Sequence, residues 1–335
     1  MNDGSDLPSA LRRAVDDVLR PLVSSSTRIA LLDFPSHTNV GDSAIWLGQL
    51  ASLARVGAPA PCYTCDARTY DRRALAQRIG DGTILLSGGG NLGDLWETHQ
   101  LFRERVIAHF PANPIVQLPQ SIRFQSRETL ARARAVLGRH SRFTLLVRDT
   151  ESLSVARREL GTTSVLAPDM AFGLEPLTRV APAAHEIVWL KRGDQEDRWA
   201  ADDPTLRDAA PRLDWVGETR TPLIRLHDAL SRFAARRPAA QGALQPLLSS
   251  AYPRLARARL DRGLRLLGSA RVVVTDRLHG HILALLLGVP HVVLPDRNRK
   301  LRSFIDAWTS SSPLLRWADS PREVAALARE LLSCA

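Results

Sequence analysis

The chain has 335 residues, 44% of them hydrophobic, and a formal net charge of +10 that arginine chiefly supplies. This composition excludes a disordered chain, no apolar run reaches the roughly 18–20 residues of a membrane span, and residues 1–8 lack both the basic and the apolar region of a secretory signal. Basic residues are spread along the chain and no zinc-finger or RNA-binding motif is present, so nucleic acid is set aside in favour of anionic substrates or an anionic membrane face.

Residues 6–22 place Leu11, Val15, Val18, Leu19 and Leu22 at helical spacing, which predicts a packing helix. A strand over residues 29–34 runs into a polar turn, residues 35–43, ahead of a helix over about residues 44–56. In that turn Ser36, Thr38, Asn39 and Ser43 suit hydrogen bonds to sugar hydroxyls or phosphate oxygens, while Asp42 and Ser43 equally suit a helix N-cap. A short strand near residues 61–65 and a basic helix near 72–79 follow. Cys62-Tyr-Thr-Cys65 has redox or zinc spacing without a second ligand pair, which leaves two reduced thiols and no expected metal.

A buried strand over residues 84–86 opens into Gly88, Gly89, Gly90, Asn91 and Gly93, where adjacent glycines permit close ligand approach. The spacing matches neither the dinucleotide fingerprint nor a Walker loop. Trp96 and His99 on the next helix are expected to fill core. Residues 115–122 read as a strand ending in a Pro-Gln-Ser turn, and residues 127–138 as a helix with a solvated basic face. The strand over 143–147 leads to Arg148, whose alternatives are anion binding or a surface salt bridge to Asp149 or Glu151. A helix to about residue 160 and a strand over 164–166, entering Pro168-Asp169, complete the first half.

Residues 173–185, with Pro176, Pro182 and several alanines, read as a linker. The second half restarts with a strand into the Lys191-Arg192 turn. Residues 194–211 are predicted to be an exposed Asp-rich insertion, 213–216 a strand, 222–237 a helix and 239–253 a loop. Leu255, Leu260, Leu264 and Leu267 mark the helix before the most informative stretch. There, Val272, Val273 and Val274 form a buried strand, and residues 282–287 a helix apolar on all sides. Asp276-Arg277-Leu278-His279 lies between them, at a strand end where open α/β sheets bind ligands. Arg277 offers a permanent cationic fork for phosphate or carboxylate, and at His279 stands the one side-chain type whose unperturbed pKa lies near neutral pH, suited to giving or taking a proton. A ligand oxyanion or a domain-interface network would satisfy these groups. A basic loop containing Lys300 and two further helices, the last over 321–332, end the chain. The repeated strand–turn–helix grammar predicts an α/β fold of two Rossmann-like domains facing a cleft, residues 1–175 and 186–335, joined by a linker at 176–185.

Taken together, Asn39-Val-Gly-Asp42-Ser-Ala-Ile45, Gly88-Gly-Gly-Asn-Leu-Gly-Asp94, Leu118-Pro-Gln-Ser121, Val147-Arg-Asp149 with Ser152, Pro168-Asp169, Thr275-Asp-Arg-Leu-His-Gly280 and the Lys300 region resemble the polysaccharide pyruvyl transferase family, in its order. The resemblance implies two Rossmann-like domains similar to the GT-B glycosyltransferase architecture. It also implies phosphoenolpyruvate as donor substrate with no further cofactor, and a pyruvate ketal on a surface glycan as product. The family's Arg-Leu-His triplet, tied to donor binding and catalysis, maps onto Arg277, Leu278 and His279. A second donor-binding arginine maps onto Arg148, with Lys191 and Arg192 as alternatives; Lys300 is a further candidate cation. Asn39, Asp42, Asn91 and Asp94 are the candidates for holding the acceptor. The competing readings are a nucleotide-sugar glycosyltransferase of the same architecture and a non-catalytic anion- or glycan-binding regulator. A cytoplasmic location is expected, with peripheral membrane contact suggested by net charge and a glycan acceptor that is free or lipid-linked.

Overall fold

The computed structural model describes residues 6–23, 26–174, 176–191, 211–215, 217, 221–296 and 299–334. Helix α1 (Asp6–Val23) precedes β1 (Ile29–Leu32), α2 (Val40–Arg55), β2 (Tyr63–Cys65), α3 (Arg72–Ile79), β3 (Thr83–Leu86), β4 (Gly89–Gly93) and α4 (Glu97–His109). Then come β5 (Ile115–Arg123), α5 (Arg127–Leu137), β6 (Phe143–Val147), α6 (Thr150–Val155) with a π turn (Ala156–Leu160), β7 (Thr163–Leu166) and a 3-10 turn (Met170–Gly173). Among the described residues these strands form a seven-stranded sheet in the order β2-β1-β3-β5-β6-β7, with β4 pairing β5. The pairings are parallel.

The second half gives β8 (His185–Leu190), β9 (Arg212–Leu213), α7 (Pro222–Arg236), α8 (Pro238–Gly268), β10 (Ala270–Thr275) and α9 (Leu278–Leu286). It ends with β11 (His291–Val293), α10 (Lys300–Trp308), β12 (Leu315–Trp317) and α11 (Pro321–Cys334). Among the described residues this sheet has five parallel strands in the order β12-β11-β10-β8-β9. The fold is therefore α/β with parallel, Rossmann-like sheets. No described helix is long and apolar enough to cross a membrane.

Parallel sheets covered on both faces need strands that are apolar on both sides, and β1 and β3 are buried throughout. Alternation then sends side chains to two different clusters. Ile29 and Leu31 join one, and Ala30 and Leu32 the other. In β10, Val273 joins the same cluster as Ile29, while Val272 and Val274 join a third. That shared cluster takes in α2, α8 and α9 and crosses residues 176–185. The two sheets are thus separate in sequence but joined through one hydrophobic core.

Three local readings need correction. Residues 239–253 are helix, not loop: α8 runs through Pro246 and Pro253. A proline inside a helix costs roughly 3 kcal/mol, but Leu248, Tyr252 and Leu255 are buried here and the Tyr252 hydroxyl accepts from the Asp66 N–H. The Pro-Gln-Ser turn is instead continuous strand, and a register shift against β6 between Gln117 and Gln120 accommodates Pro119. Helix α2 starts at Val40, capped by Asn39, whose side chain accepts from the Gly41 N–H; Asp42 lies within its first turn. The predicted insertion at 194–211 lies, apart from Pro211, outside the described residues.

His281 and His291 form a fully buried pair, His281 Nδ1 lying 2.7 Å from His291 Nε2. His291 Nδ1 donates to the Val289 carbonyl at 2.9 Å, which leaves its Nε2 to accept from His281. The Thr309 hydroxyl, 2.9 Å from His281 Nε2, completes a neutral chain. Burial holds His281 well below its ordinary pKa and lowers His291 to about 4. The unfolded chain therefore takes up protons first, and stability present above the ordinary value near 6.5 is lost as pH falls towards about 4. Urea unfolding of the wild type should lose on the order of 3 kcal/mol between about pH 7 and pH 4 from His291 alone. A His281→Leu, His291→Leu double variant should lack this component, and an equal pH slope in both proteins would contradict it.

Candidate active site between the two sheets

Strand carboxyl ends of both sheets open onto one cavity of about 400 Å³. From the first sheet come His37, Asn39 and Asp42 after β1, Gly90 and Asn91 in β4, Trp96 and His99 at the start of α4, and Arg148 after β6. The second sheet supplies Trp215 beyond β9, the Asp276–His279 turn after β10, and Asp296 with Lys300 after β11. The predicted residues Asn39, Asp42, Asn91, Arg148, Arg277, Leu278, His279 and Lys300 thus converge, although they are spread over more than 260 positions.

Arg277 precedes the first residue of α9, a helix buried along its whole length. Its own N–H donates to the Thr275 hydroxyl at 3.0 Å. Arg277 is 4% exposed; its guanidinium donates to Asp214 at 2.8 Å and to the Lys191 carbonyl at 3.5 Å, and lies 5.7 Å from the Trp215 ring centroid. It therefore reaches the cavity already oriented. Lys191 contributes its carbonyl to this arrangement, while its ammonium lies over Trp189 rather than in the cavity lining. Arg192 lies outside the described residues.

Across the cavity, Arg148 is not paired with Asp149 or Glu151. Its Nη1 donates to Asp169 Oδ2 at 2.6 Å and its Nε to Ser121 Oγ at 2.9 Å. Asp149 instead accepts from the Ser152 N–H as the cap of α6. The same Asp169 oxygen is 3.5 Å from His279 Nε2, and the other carboxylate oxygen accepts from the Ala171 N–H. Burial would raise the pKa of Asp169, yet His279, Arg148 and Ala171 together hold it well below the usual carboxylate range. A fixed, fully buried anion therefore ties an arginine of the first half to the histidine of the second. Asp169 was not among the predicted site residues, and its position in Pro168-Asp169, just beyond β7, was the available signal.

Gly41, in the first turn of α2, packs against the other edge of the same imidazole. A Cβ there would fall 2.3 Å from His279 Nδ1, with more of the ring within 2.7 Å. No methyl group fits that space without moving the ring. Gly41→Ala should therefore depress turnover by about 10²-fold, the scale expected for ångström-level misplacement of a reacting group. Steady-state kinetics beside a thermal melt checks this; wild-type turnover in a folded variant would contradict it.

On the wall formed after β1, Asn39 Nδ2 donates to Asp42 Oδ2 at 2.8 Å, and His37 Nε2 lies 3.5 Å from that oxygen. Asn91 Oδ1 accepts from Arg103 and Gln120, both at 2.9 Å. Lys300 reaches over from the second half to donate to the Gly90 carbonyl at 3.4 Å, and Arg148 Nη2 lies against the same glycine. Asp94 does not join the cavity lining: its carboxylate accepts from the Gln125 and Ser126 N–H groups and holds the turn before α5.

Trp96 and His99 do not fill core as expected; both line the cavity, and Trp96 is 41% exposed. His99 Nδ1 sits 2.9 and 3.0 Å from the two oxygens of Asp33. Burial would lower the His99 pKa, but the Asp33 carboxylate outweighs it and raises it. Asp33 is itself buried and has a φ of 70°, in the left-handed region that non-glycine residues rarely occupy. His37, by contrast, is pushed below its ordinary pKa by burial. Cys62 and Cys65 are free thiols in and beside β2, and both are pushed up by burial.

Two parallel α/β sheets, with buried arginines and carboxylate-held imidazoles around one cavity at their strand carboxyl ends, define a Rossmann-like α/β protein. A family model described as polysaccharide pyruvyl transferase matches residues 39–298. The chain belongs to that family and is a transferase. It is 30% identical over 294 residues to Pyruvyl transferase 1 of Schizosaccharomyces pombe, covering 84% of this chain and 69% of that one. Bacillus subtilis EpsO, also named as a pyruvyl transferase, is 26% identical over 307 residues, covering 89% and 90% of the two chains. A solved structure of a functionally uncharacterised Klebsiella pneumoniae protein superposes with a TM-score of 0.57 at 18% identity, covering 92% of this chain and 99% of that one. That last likeness concerns the fold alone.

Proposed function

We propose that the protein transfers pyruvate from phosphoenolpyruvate to two hydroxyls of a surface-glycan sugar, forming a ketal and releasing phosphate. The family membership supports pyruvyl transfer to polysaccharide. One observation carries the finer reading: Arg277, His279, Arg148 and Lys300 line a single cavity, and the buried Asp169 carboxylate contacts both Arg148 and His279. Phosphoenolpyruvate brings a carboxylate and a phosphate, so its site needs several fixed cations. Arg277, Lys300 and the Nη2 edge of Arg148 supply them, in a GT-B-like arrangement of two lobes around the donor.

In this reading His279, oriented by Asp169, delivers a proton to the methylene carbon of the enol, leaving an oxocarbenium-like centre. One sugar hydroxyl attacks that centre and gives its proton to His99, which Asp33 orients. The bond from that carbon to the phosphate oxygen breaks, the electron pair leaves with phosphate, and His99 returns its proton to the departing group. The neighbouring hydroxyl then closes the ketal and its proton restores His279. Asn39, Asp42 and Asn91 hold the sugar, with Trp96 offering its face at the rim.

The experiment is incubation with phosphoenolpyruvate and candidate surface glycans, following phosphate and product mass together. One ketal formed per phosphate released supports the reading. Transfer that depends on a nucleotide sugar and ignores phosphoenolpyruvate would overturn it.

A further inference from the structure

Helix α7 carries a stripe that the site does not use. Leu223, Leu226 and Phe233 are 38%, 59% and 47% exposed, and half-buried Leu230 lies between the last two. Their spacing of three, four and three residues places all four on one side of the helix. One border of the stripe is the buried face, Ile224, His227, Ser231 and Ala234, which packs on the protein. The other is a row of exposed cations, Arg225, Arg232 and Arg236, and Arg237 lays its guanidinium 5.4 Å from the Phe233 centroid. Leucines and a phenylalanine bordered by arginines on a surface helix are the pattern that suits the boundary between headgroups and acyl chains.

We propose that this face of α7 docks on an anionic lipid surface, with Leu223, Leu226 and Phe233 entering the headgroup layer while the arginines meet lipid phosphates. Charge complementarity selects this occupant. A two-fold contact with a second copy would set Arg225, Arg232 and Arg236 near their own images, whereas a negative bilayer attracts every one of them. The chain's net charge of +10 adds to that attraction. The surface also connects to the cavity. Helix α8, packed beside α7, sends Arg262 to the carbonyls of Thr38 at 2.7 Å and Trp215 at 2.5 Å, and both of those residues line the cavity. The proposal does not depend on the donor being phosphoenolpyruvate.

The test is co-sedimentation of the full chain with vesicles of phosphatidylcholine alone and of equimolar phosphatidylcholine and phosphatidylglycerol. Binding is expected only to the mixed vesicles and should weaken with added salt. Leu226→Asp with Phe233→Asp should abolish it, and Arg225→Gln, Arg232→Gln and Arg236→Gln together should weaken it at least about tenfold. All five positions are exposed, so matched thermal melts and unchanged turnover of a soluble acceptor control for folding. Equal binding to both vesicle types, or full binding by both variants, would overturn the proposal. So would a dimer in sedimentation velocity that Leu226→Asp with Phe233→Asp dissolves, with no vesicle binding, because the stripe would then belong to a second copy.

Discussion

His279→Ala should reduce turnover by about 10²–10⁴-fold, the usual contribution of one positioned acid–base group, while phosphoenolpyruvate still binds. The fold should survive. Asp169 keeps Arg148 and the Ala171 N–H as partners when the imidazole is gone. The space left borders the ligand cavity, so water can enter it. Single-turnover kinetics with a calorimetric check on donor binding separates chemistry from affinity. A folded variant with near-wild-type turnover would remove His279 from the reaction.

Asp169→Ala should be more damaging because it acts on stability and catalysis together. Arg148 is 3% exposed, and the substitution removes the carboxylate that balances its buried charge. Breaking a buried ion pair from one side typically costs about 3–5 kcal/mol. Urea unfolding should show a loss on that scale, and any folded fraction should turn over slowly because His279 has lost its orienting partner. Asp169→Asn keeps a carbonyl oxygen for Arg148 or the Ala171 N–H, so it should recover part of the stability but little of the activity. Equal stability of wild type and Asp169→Ala would contradict the assignment of this carboxylate as the anchor of the site.

Much of this site could be read from local chemistry. Asp276-Arg277-Leu278-His279 breaks two apolar elements with groups that need partners, so a polar site was predictable at that strand end. The alternating strands and helices likewise announced parallel sheets. Trp96, His99 and Asp33 were harder to read, because an aromatic or histidine in a helix has the same local pattern whether it faces core or cavity. Only the approach of β1 to α4 makes Asp33 the partner of His99. Asp94 misled for the opposite reason: a carboxylate in a glycine-rich turn looks available until the N–H groups of residues 125 and 126, over thirty positions away, are seen to occupy it. Helix α8 was obscured by Pro246 and Pro253, whose local penalty is outweighed by long-range burial. The one core shared by both sheets is also invisible to periodicity, since a buried face does not name what covers it.

Calorimetric titration of phosphoenolpyruvate into the wild type and into Arg277→Ala addresses the central claim most directly, namely that a doubly anionic enol ester is gripped between the two sheets by this arginine. The wild type should bind one molecule per chain. The variant should bind about ten- to a hundredfold more weakly, as loss of a hydrogen bond to a charged group implies, with its melting profile otherwise intact. Identical affinities in the two proteins, or no binding by the wild type, would contradict the account.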